Sequence, residues 1–367
     1  MSRTAKIGVT ALLVFALCAV AFGCGRASVN TPTEDPFLTT TEPATWPDGS
    51  LILPEDDITD EFPTDETEDE TTLDDSLTTE ETEPANAAPE DFPSPEILRG
   101  PPDTAAQTFT GLRALAERPI AIDDPNNRAG LPTKKIEHAY GVAKDGVPNQ
   151  ISIDFQKFFE AKHYAAVAYD SNVGQEKPLY LTFDCGYENG NTARILDTLR
   201  EKNVKAAFFC TVDEMKSAPE IVARMIAEGH IVGNHSVKHP SFAEVDRPRM
   251  AQEVLEADNY LRANFGYSAP FFRFPKGEYT ESALEAVGSL GFTSVFWSAA
   301  YADWDVNAQK GAKYALDTVT ARIHPGAILL LHSISKDNAD AMGQIIDAAK
   351  AQGYVFRELT ELSMFRE

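Results

Sequence analysis

The strongest constraint on the fold is a regular alternation of short apolar runs and longer amphipathic stretches from about Leu181 onward. The apolar runs have the length of buried strands, and the stretches between them have helical periodicity. The predicted strands are YLTFD, AAFFCT, HIVGNHS, FFRFP, TSVFWS, AILLLH and GYVFREL. Strands that alternate with helices form parallel sheets, so the pattern predicts an α/β fold. Seven strands suit a β/α barrel smaller than the eight-stranded type, with a doubly wound sheet as the alternative.

The acidic residues are concentrated ahead of this region. Of the 57 Asp and Glu residues, 22 lie between Glu34 and Glu96, where no Lys or Arg occurs. Residues 25–100 are also rich in Thr and Pro, and such a composition cannot bury enough apolar surface to fold. We therefore predict a disordered tether there. The other 35 acidic residues nearly balance the 32 basic ones, and without a basic patch no nucleic-acid partner is expected.

Residues 1–24 have the pattern of an export signal. Arg3 and Lys6 precede an apolar run that ends in Ala-Phe-Gly-Cys at Cys24. This end resembles the lipobox of bacterial lipoproteins, although Ala21 stands where Leu is usual. We expect export and a lipid anchor on Cys24 at the outer face of the bacterial cell membrane. Plain secretion and an uncleaved membrane anchor are the alternatives.

Polar residues follow several of the predicted strands at the point where each strand ends. The residues in these positions are Asp184, His235, Arg273, Trp304 and His332. Parallel β/α folds assemble their active sites from the C-terminal ends of separate strands. The sequence therefore predicts one active site at this face.

The spacing of two histidines predicts a metal site. His235 and His239 are four residues apart in GNHSVKHP, so on a helical turn both imidazoles would reach the same cation. Imidazole ligands favour zinc, with cobalt as an alternative.

The remaining strand-end residues suit hydrolysis. Asp184 can serve as a general base and His332 can protonate a leaving amine, while Arg273 can hold a carboxylate such as Asp184. Trp304 fits either the floor of a sugar groove or the core.

The motif order TFDCG, GNHSVKH, RFPKG, ADW and LLLH resembles that of the NodB-type polysaccharide deacetylases, carbohydrate esterase family 4. The runs VFWSAAYADW and HPGAILLLHSISKDNA are similar to the subgroup that removes the acetyl group from muramic acid in peptidoglycan, known for δ-lactam formation in the spore cortex. The resemblance covers about residues 138–362. It implies a distorted (β/α)7 barrel over residues 176–367, with residues 101–175 as an extension packed on it.

The resemblance also implies roles for individual residues and a divalent metal, with zinc favoured and cobalt or manganese as alternatives. Asp184 would be the catalytic base, Arg273 would orient it, and His332 would be the acid. The metal ligands would be His235 and His239. The expected substrate-binding residues are Lys276, Trp304 and Tyr187. The expected partners are peptidoglycan glycan strands, bound by a monomer.

Three positions depart from the family pattern. Cys185 replaces the second aspartate of the first motif, a metal ligand in the family. It could ligate the metal as a thiolate, fill the space of a ligand, or pair with Cys210. Ala300 replaces an acid that usually supports the catalytic histidine, which leaves Asp303. Lys276 replaces a tyrosine and is a candidate partner for a lactyl carboxylate.

We therefore expect metal-dependent removal of the acetyl group from N-acetylmuramic acid. One alternative keeps the chemistry and changes the sugar to N-acetylglucosamine, in peptidoglycan or a chitin-like polymer. A second is a non-catalytic wall-binding lipoprotein, suggested by Cys185 and Ala300.

Overall fold

The computed structural model describes Phe92 and residues 94–366. The predicted export signal, the site of lipidation and most of the predicted tether lie outside the described residues. The strands are β1 Leu98–Arg99, β2 Ile136–Glu137, β3 Ala166–Val167, β4 Pro178–Cys185, β5 Ala207–Cys210, β6 Ile231–Asn234, β7 Tyr267–Ser268, β8 Phe271–Phe272, β9 Glu278–Tyr279, β10 Thr293–Val295, β11 Ala327–His332 and β12 Val355–Phe356. The helices are α1 Gln150–Ala161, α2 Thr192–Lys202, α3 Val212–Ser217, α4 Pro219–Ala227, α5 Arg247–Phe265, α6 Glu281–Ser289, α7 Ala312–Arg322 and α8 Lys336–Ala351.

The main sheet is parallel and has the strand order β11-β4-β5-β6-β8-β10-β3. Its two ends are connected by isolated bridges, from Ala299 to Leu329 and from Tyr169 to Ala327. Strand β4 is buried along almost its whole length, as expected for a parallel strand covered on both faces. The predicted parallel α/β architecture is confirmed. Among the described helices, none is long and apolar enough to cross a membrane.

One predicted strand differs from the structure. In GYVFREL, only Val355 and Phe356 form a strand, and it pairs beside the start of β4, outside the main strand order. Val355 is exposed, so this segment lacks the burial that holds the other strands in the sheet. The seventh member of the main order is instead β3, a two-residue strand that lies upstream of the alternating pattern.

The register of the sheet brings the strand ends to one level. His332 of β11 lies opposite Asp184 of β4, and Cys185 lies opposite Cys210 of β5. His235 and Arg273 come directly after β6 and β8. The polar residues predicted at the strand ends therefore meet at the C-terminal face of the sheet.

The segment before the sheet runs along several of its elements. Strand β1 pairs antiparallel with β7, and β2 pairs antiparallel with β9. The Asn259 side chain on α5 bonds both main-chain groups of Arg118. After β2, the backbone N–H of His138 donates to the carbonyl of Gly277 at 2.9 Å. The segment thus reaches the loop that follows Arg273.

Candidate active site

A buried arginine fixes the carboxylate at the end of β4. Nη1 of Arg273 donates to Oδ1 of Asp184 at 2.8 Å. The guanidinium also donates to Thr182 Oγ1 and to the carbonyl oxygens of Val295 and Phe296. With these partners and no exposed surface, the arginine holds one orientation.

The charges around Asp184 keep it ionised. Burial alone would raise its pKa, but the charge and hydrogen bond of the Arg273 guanidinium act against burial, and the pKa is lowered below its usual value. An ionised carboxylate at the end of a strand can accept a proton from a water molecule.

Two imidazoles converge beside this carboxylate. Nε2 of His235 lies 3.2 Å from Nε2 of His239 and 3.5 Å from Oδ2 of Asp184. Nδ1 of His235 lies 2.9 Å from the carbonyl oxygen of Arg273. A carbonyl can only accept, so this nitrogen carries the hydrogen and Nε2 presents a lone pair to His239 and Asp184.

The prediction that His235 and His239 lie on a helical turn is wrong. The chain from His235 to His239 is irregular, and both Ser236 and His239 have left-handed backbones, with φ of 70° and 56°. A carboxylate oxygen of Glu253 on α5 accepts the N–H groups of Val237 and Lys238, each at 2.8 Å. The imidazoles meet because α5 and two strained residues shape this turn.

The histidine pair fits a divalent metal ion. Two nitrogens each about 2.1 Å from one zinc ion, at a tetrahedral angle, would be about 3.4 Å apart, close to the spacing here. Burial lowers the pKa of His235 and lowers that of His239 to about 3, so both rings stay neutral, as ligands must be. Across the described residues, no three His, Cys, Asp or Glu side chains lie close enough to hold one ion.

Cys185 lies beside Cys210, and both are buried free thiols. Burial raises the pKa of Cys185, and the pKa of Cys210 is raised by its hydrogen bond with Cys185. Their surroundings therefore favour protonated sulfurs when no metal is bound. Because the two sulfurs are free thiols that contact each other, this arrangement favours the space-filling alternative for Cys185.

His332 is held by the buried carboxylate of Asp303, the acid that remains in the motif where Ala300 replaces the other one. Nδ1 of His332 lies 2.7 Å from Oδ1 of Asp303, and its backbone N–H donates to Oδ2 at 2.7 Å. Burial opposes protonation of His332, but the charge and hydrogen bond of Asp303 outweigh it and raise the pKa. Ala300 therefore does not leave the histidine unsupported, because Asp303 supplies the carboxylate.

Of the three predicted substrate-binding residues, Trp304 and Lys276 lie near these groups, and Tyr187 lies on the loop that follows β4. The Trp304 ring makes an edge contact with His332, with centroids 5.8 Å apart. Lys276 is exposed and near enough for its charge to lower the pKa of His239. Tyr187 is 49% exposed on the loop after β4. Lys276 and Gly277 both have positive φ, of 59° and 68°. The Lys276 ammonium is therefore carried on a left-handed turn.

A second layer of residues was missed by the sequence analysis. Trp297 packs against the guanidinium of Arg273, 5.7 Å from the ring centroid. His138 bonds the carbonyl of Trp297 through Nε2 at 2.7 Å. No local pattern distinguishes these residues from core residues, because their role depends on contacts between distant parts of the chain.

Comparisons with known proteins agree with this geometry. Residues 171–295 match the family model described as polysaccharide deacetylase. The chain is 41% identical over 194 residues to the peptidoglycan-N-acetylmuramic acid deacetylase PdaA of Bacillus subtilis, covering 53% of this chain and 74% of that protein. It is 34% identical over 194 residues to a peptidoglycan-N-acetylglucosamine deacetylase of Bacillus cereus, covering 51% of this chain and 67% of that protein.

A solved structure extends the likeness to the fold. The structure of Bacillus subtilis PdaA, described as a family 4 carbohydrate esterase, matches with a TM-score of 0.60 and 36% identity, covering 65% of this chain and all of that one. Since these likenesses span most of the relatives' length, this chain belongs to the polysaccharide deacetylases of carbohydrate esterase family 4 and is a deacetylase.

Proposed function

We propose that this deacetylase hydrolyses the N-acetyl group of N-acetylmuramic acid residues in peptidoglycan. The observation that carries the chemistry is the pairing of Asp184 and His332 at one register position on neighbouring strands. The pKa of Asp184 is lowered, so this carboxylate stays ionised, and the pKa of His332 is raised. A carboxylate that can accept a proton and an imidazole that can donate one fit the two proton transfers of amide hydrolysis.

The proton transfers can be assigned to this chain's own residues. Asp184 accepts a proton from the water that attacks the acetamide carbonyl carbon. The C–N bond then breaks, and His332 donates its proton to the sugar nitrogen, which leaves as the amine, while the acyl group leaves as acetate. Arg273 holds Asp184 in place, and Asp303 keeps the Nδ1–H of His332 turned inward.

We further propose that His235 and His239 bind a divalent metal ion, most suitably zinc, with cobalt or manganese as alternatives. A bound ion would polarise the acetyl carbonyl and stabilise negative charge on its oxygen.

Lys276 supports muramic acid as the sugar. N-acetylmuramic acid differs from N-acetylglucosamine by a lactyl group, whose carboxylate is free when no peptide is attached. Lys276 places an exposed cation near His239, where it can bind that carboxylate. The 41% identity to a protein named as an N-acetylmuramic acid deacetylase supports the same choice.

N-acetylglucosamine is the second candidate, because a Bacillus cereus relative at 34% identity is named for that sugar. Mass spectrometry of glycan strands after incubation with the enzyme distinguishes the two. We expect acetyl loss on muramic acid residues without stem peptides, and little on chitooligosaccharide. Acetyl loss confined to glucosamine residues would contradict the first proposal.

Export and anchoring are a separate proposal that lies outside the described residues. We expect Cys24 to carry lipid that holds the protein at the outer face of the membrane. Cys24→Ala should move the protein from the membrane fraction to the medium. Retention of this variant in membranes would indicate an uncleaved signal instead.

A further inference from the structure

We propose that Asn338, held in turn by Tyr301, is a positioning residue for the Asp303–His332 pair in deacetylation. Neither residue is among those assigned above to the reaction or to substrate binding. The inference rests on the proposed role of His332 as the acid, and the experiment below separates failure of the two.

The side-chain amide of Asn338 connects to both members of the pair. Nδ2 donates to Oδ2 of Asp303 at 2.5 Å and lies 3.4 Å from the backbone carbonyl oxygen of His332. Asn338 has no exposed surface, and Asp303 is 1% exposed. Because both side chains are buried, solvent does not compete for this hydrogen bond, and the amide is an integral partner of the carboxylate.

Tyr301 determines which way the amide faces. Its hydroxyl donates to Oδ1 of Asn338 at 2.5 Å, and burial raises the pKa of Tyr301, so the hydroxyl keeps its hydrogen. If the amide were reversed, its oxygen would face the carboxylate of Asp303 and its NH2 group would face the hydroxyl. The observed orientation gives every group a complementary partner.

The backbone of Asn338 is fixed as well. It lies in the first turn of α8, where the Oγ of Ser335 accepts its N–H at 3.2 Å. His332 ends β11 only three residues before this N-cap. A short rigid connection therefore leads from the end of β11 through the N-cap Ser335 to the Asn338 amide, which bonds Asp303.

This connection fixes the torsion angle that orients the two carboxylate oxygens of Asp303. Oδ1 faces His332 Nδ1, while Oδ2 accepts both the His332 N–H and the Asn338 amide. Without the amide, the carboxylate keeps only the two donors of His332, its backbone N–H and its Nδ1–H. It is then free to rotate toward that residue. The imidazole would then move relative to the sugar nitrogen, and a displacement of about 1 Å can cost about 100-fold in rate.

The test compares four variants by acetate release from peptide-free glycan strands. Asn338→Ala should lower kcat by about 10- to 100-fold with KM changed by less than about twofold. Tyr301→Phe should lower kcat by about 2- to 10-fold, as expected for one neutral hydrogen bond. Asn338→Asp places a second carboxylate beside Asp303, so the loss of kcat at alkaline pH should move to higher pH. In an Asp303→Asn background, Asn338→Ala should add less than about twofold.

The matched control is Ile346→Ala, which truncates a fully buried residue on the same helix, more than two turns beyond Asn338. It should lower the melting temperature at least as much as Asn338→Ala while kcat stays unchanged. Equal losses of kcat in both variants would make Asn338 a structural residue only. If Asn338→Ala does not fold, unchanged kcat and pH profile in Tyr301→Phe overturn the inference.

The same series separates this inference from the proposed acid. If His332→Ala and Asp303→Asn each lower kcat but Asn338→Ala does not, only the positioning role is overturned. If His332→Ala leaves kcat unchanged, the acid role fails and the positioning role fails with it.

Discussion

The backbone carbonyl of Arg273 accepts the Nδ1–H of His235 at 2.9 Å. The side chain of the same arginine holds Asp184. One residue thus orients the proposed metal-binding imidazole through its main chain and the proposed base through its guanidinium. Substitution of the side chain should therefore separate the two functions.

For Arg273→Met, we expect a loss of about 3–5 kcal/mol in the free energy of unfolding, because the partly buried Asp184 charge loses its partner. Zinc affinity should change less than tenfold, since the carbonyl that fixes the His235 tautomer remains. Urea denaturation and zinc titration test both points. The double variant Arg273→Met/Asp184→Leu should regain part of the stability; no recovery would contradict the charge argument.

Asp184→Asn and His332→Ala should each lower kcat by at least about 100-fold with the fold intact. The amide of Asn keeps the shape of Asp184 but cannot accept the proton, and alanine cannot donate one. Steady-state acetate release measures the loss, and circular dichroism serves as the control for folding. Near-normal turnover in either variant would remove that residue from the mechanism.

The pH profile of kcat should be bell-shaped with a broad neutral optimum. The pKa of Asp184 is lowered, so the base stays ionised until the pH falls below its ordinary value of about 3.9. The pKa of His332 is raised, so the acid keeps its proton until the pH rises above about 6.5. Asp303→Asn removes the charge that raises the His332 pKa, so the alkaline loss of activity should move to lower pH. An unchanged alkaline limb in this variant would contradict the assignment of His332.

Lys276→Met should raise KM for peptide-free glycan strands and leave KM for chitooligosaccharide unchanged. The lysine places its cation near the site, and methionine keeps the length of the chain without the charge. Lys276→Arg, which retains the charge, is the matched control. Equal effects of Lys276→Met on both substrates would show that the cation does not recognise the lactyl carboxylate.

Cys185 is expected to fill space, so Cys185→Ser should leave zinc affinity nearly unchanged. Cys185→Asp should raise the affinity if the position adjoins the metal, because a carboxylate is a ligand for zinc and for harder ions such as manganese. Thiol titration of the unfolded, unreduced protein should find both Cys185 and Cys210 reduced, as in the structure. Loss of zinc binding in the Ser variant would establish the thiolate as a ligand.

The alternating pattern predicted the architecture because burial on both faces of parallel strands leaves a strong local signal. It also predicted Asp184 and His332, since polar residues that end apolar strands are visible in the sequence. By contrast, β3 has only two residues, too few for any periodicity. Its place in the sheet depends on its pairing with β10, which no local pattern encodes.

The support of the site could not be predicted for the same reason. Asp303 and Asn338 are 35 residues apart in the chain, and their contact depends on where α8 begins relative to the loop before it. The left-handed backbone of His239 depends on Glu253 and the turn it holds, not on the residues next to it. The sequence indicated the reacting groups but not the groups that hold them.

The pairing of β2 with β9 has a consequence for how this enzyme can be divided. The match to the family model begins at residue 171, yet the loop that carries Lys276 and Gly277 is held by Ile136, Glu137 and His138. Strand β1 extends the same arrangement back to Leu98. The smallest piece that can be grafted onto another protein with its catalytic loops intact therefore begins ahead of Leu98. Recombination within residues 98–171 would damage the enzyme, even though that stretch precedes the part of the chain that matches the family model.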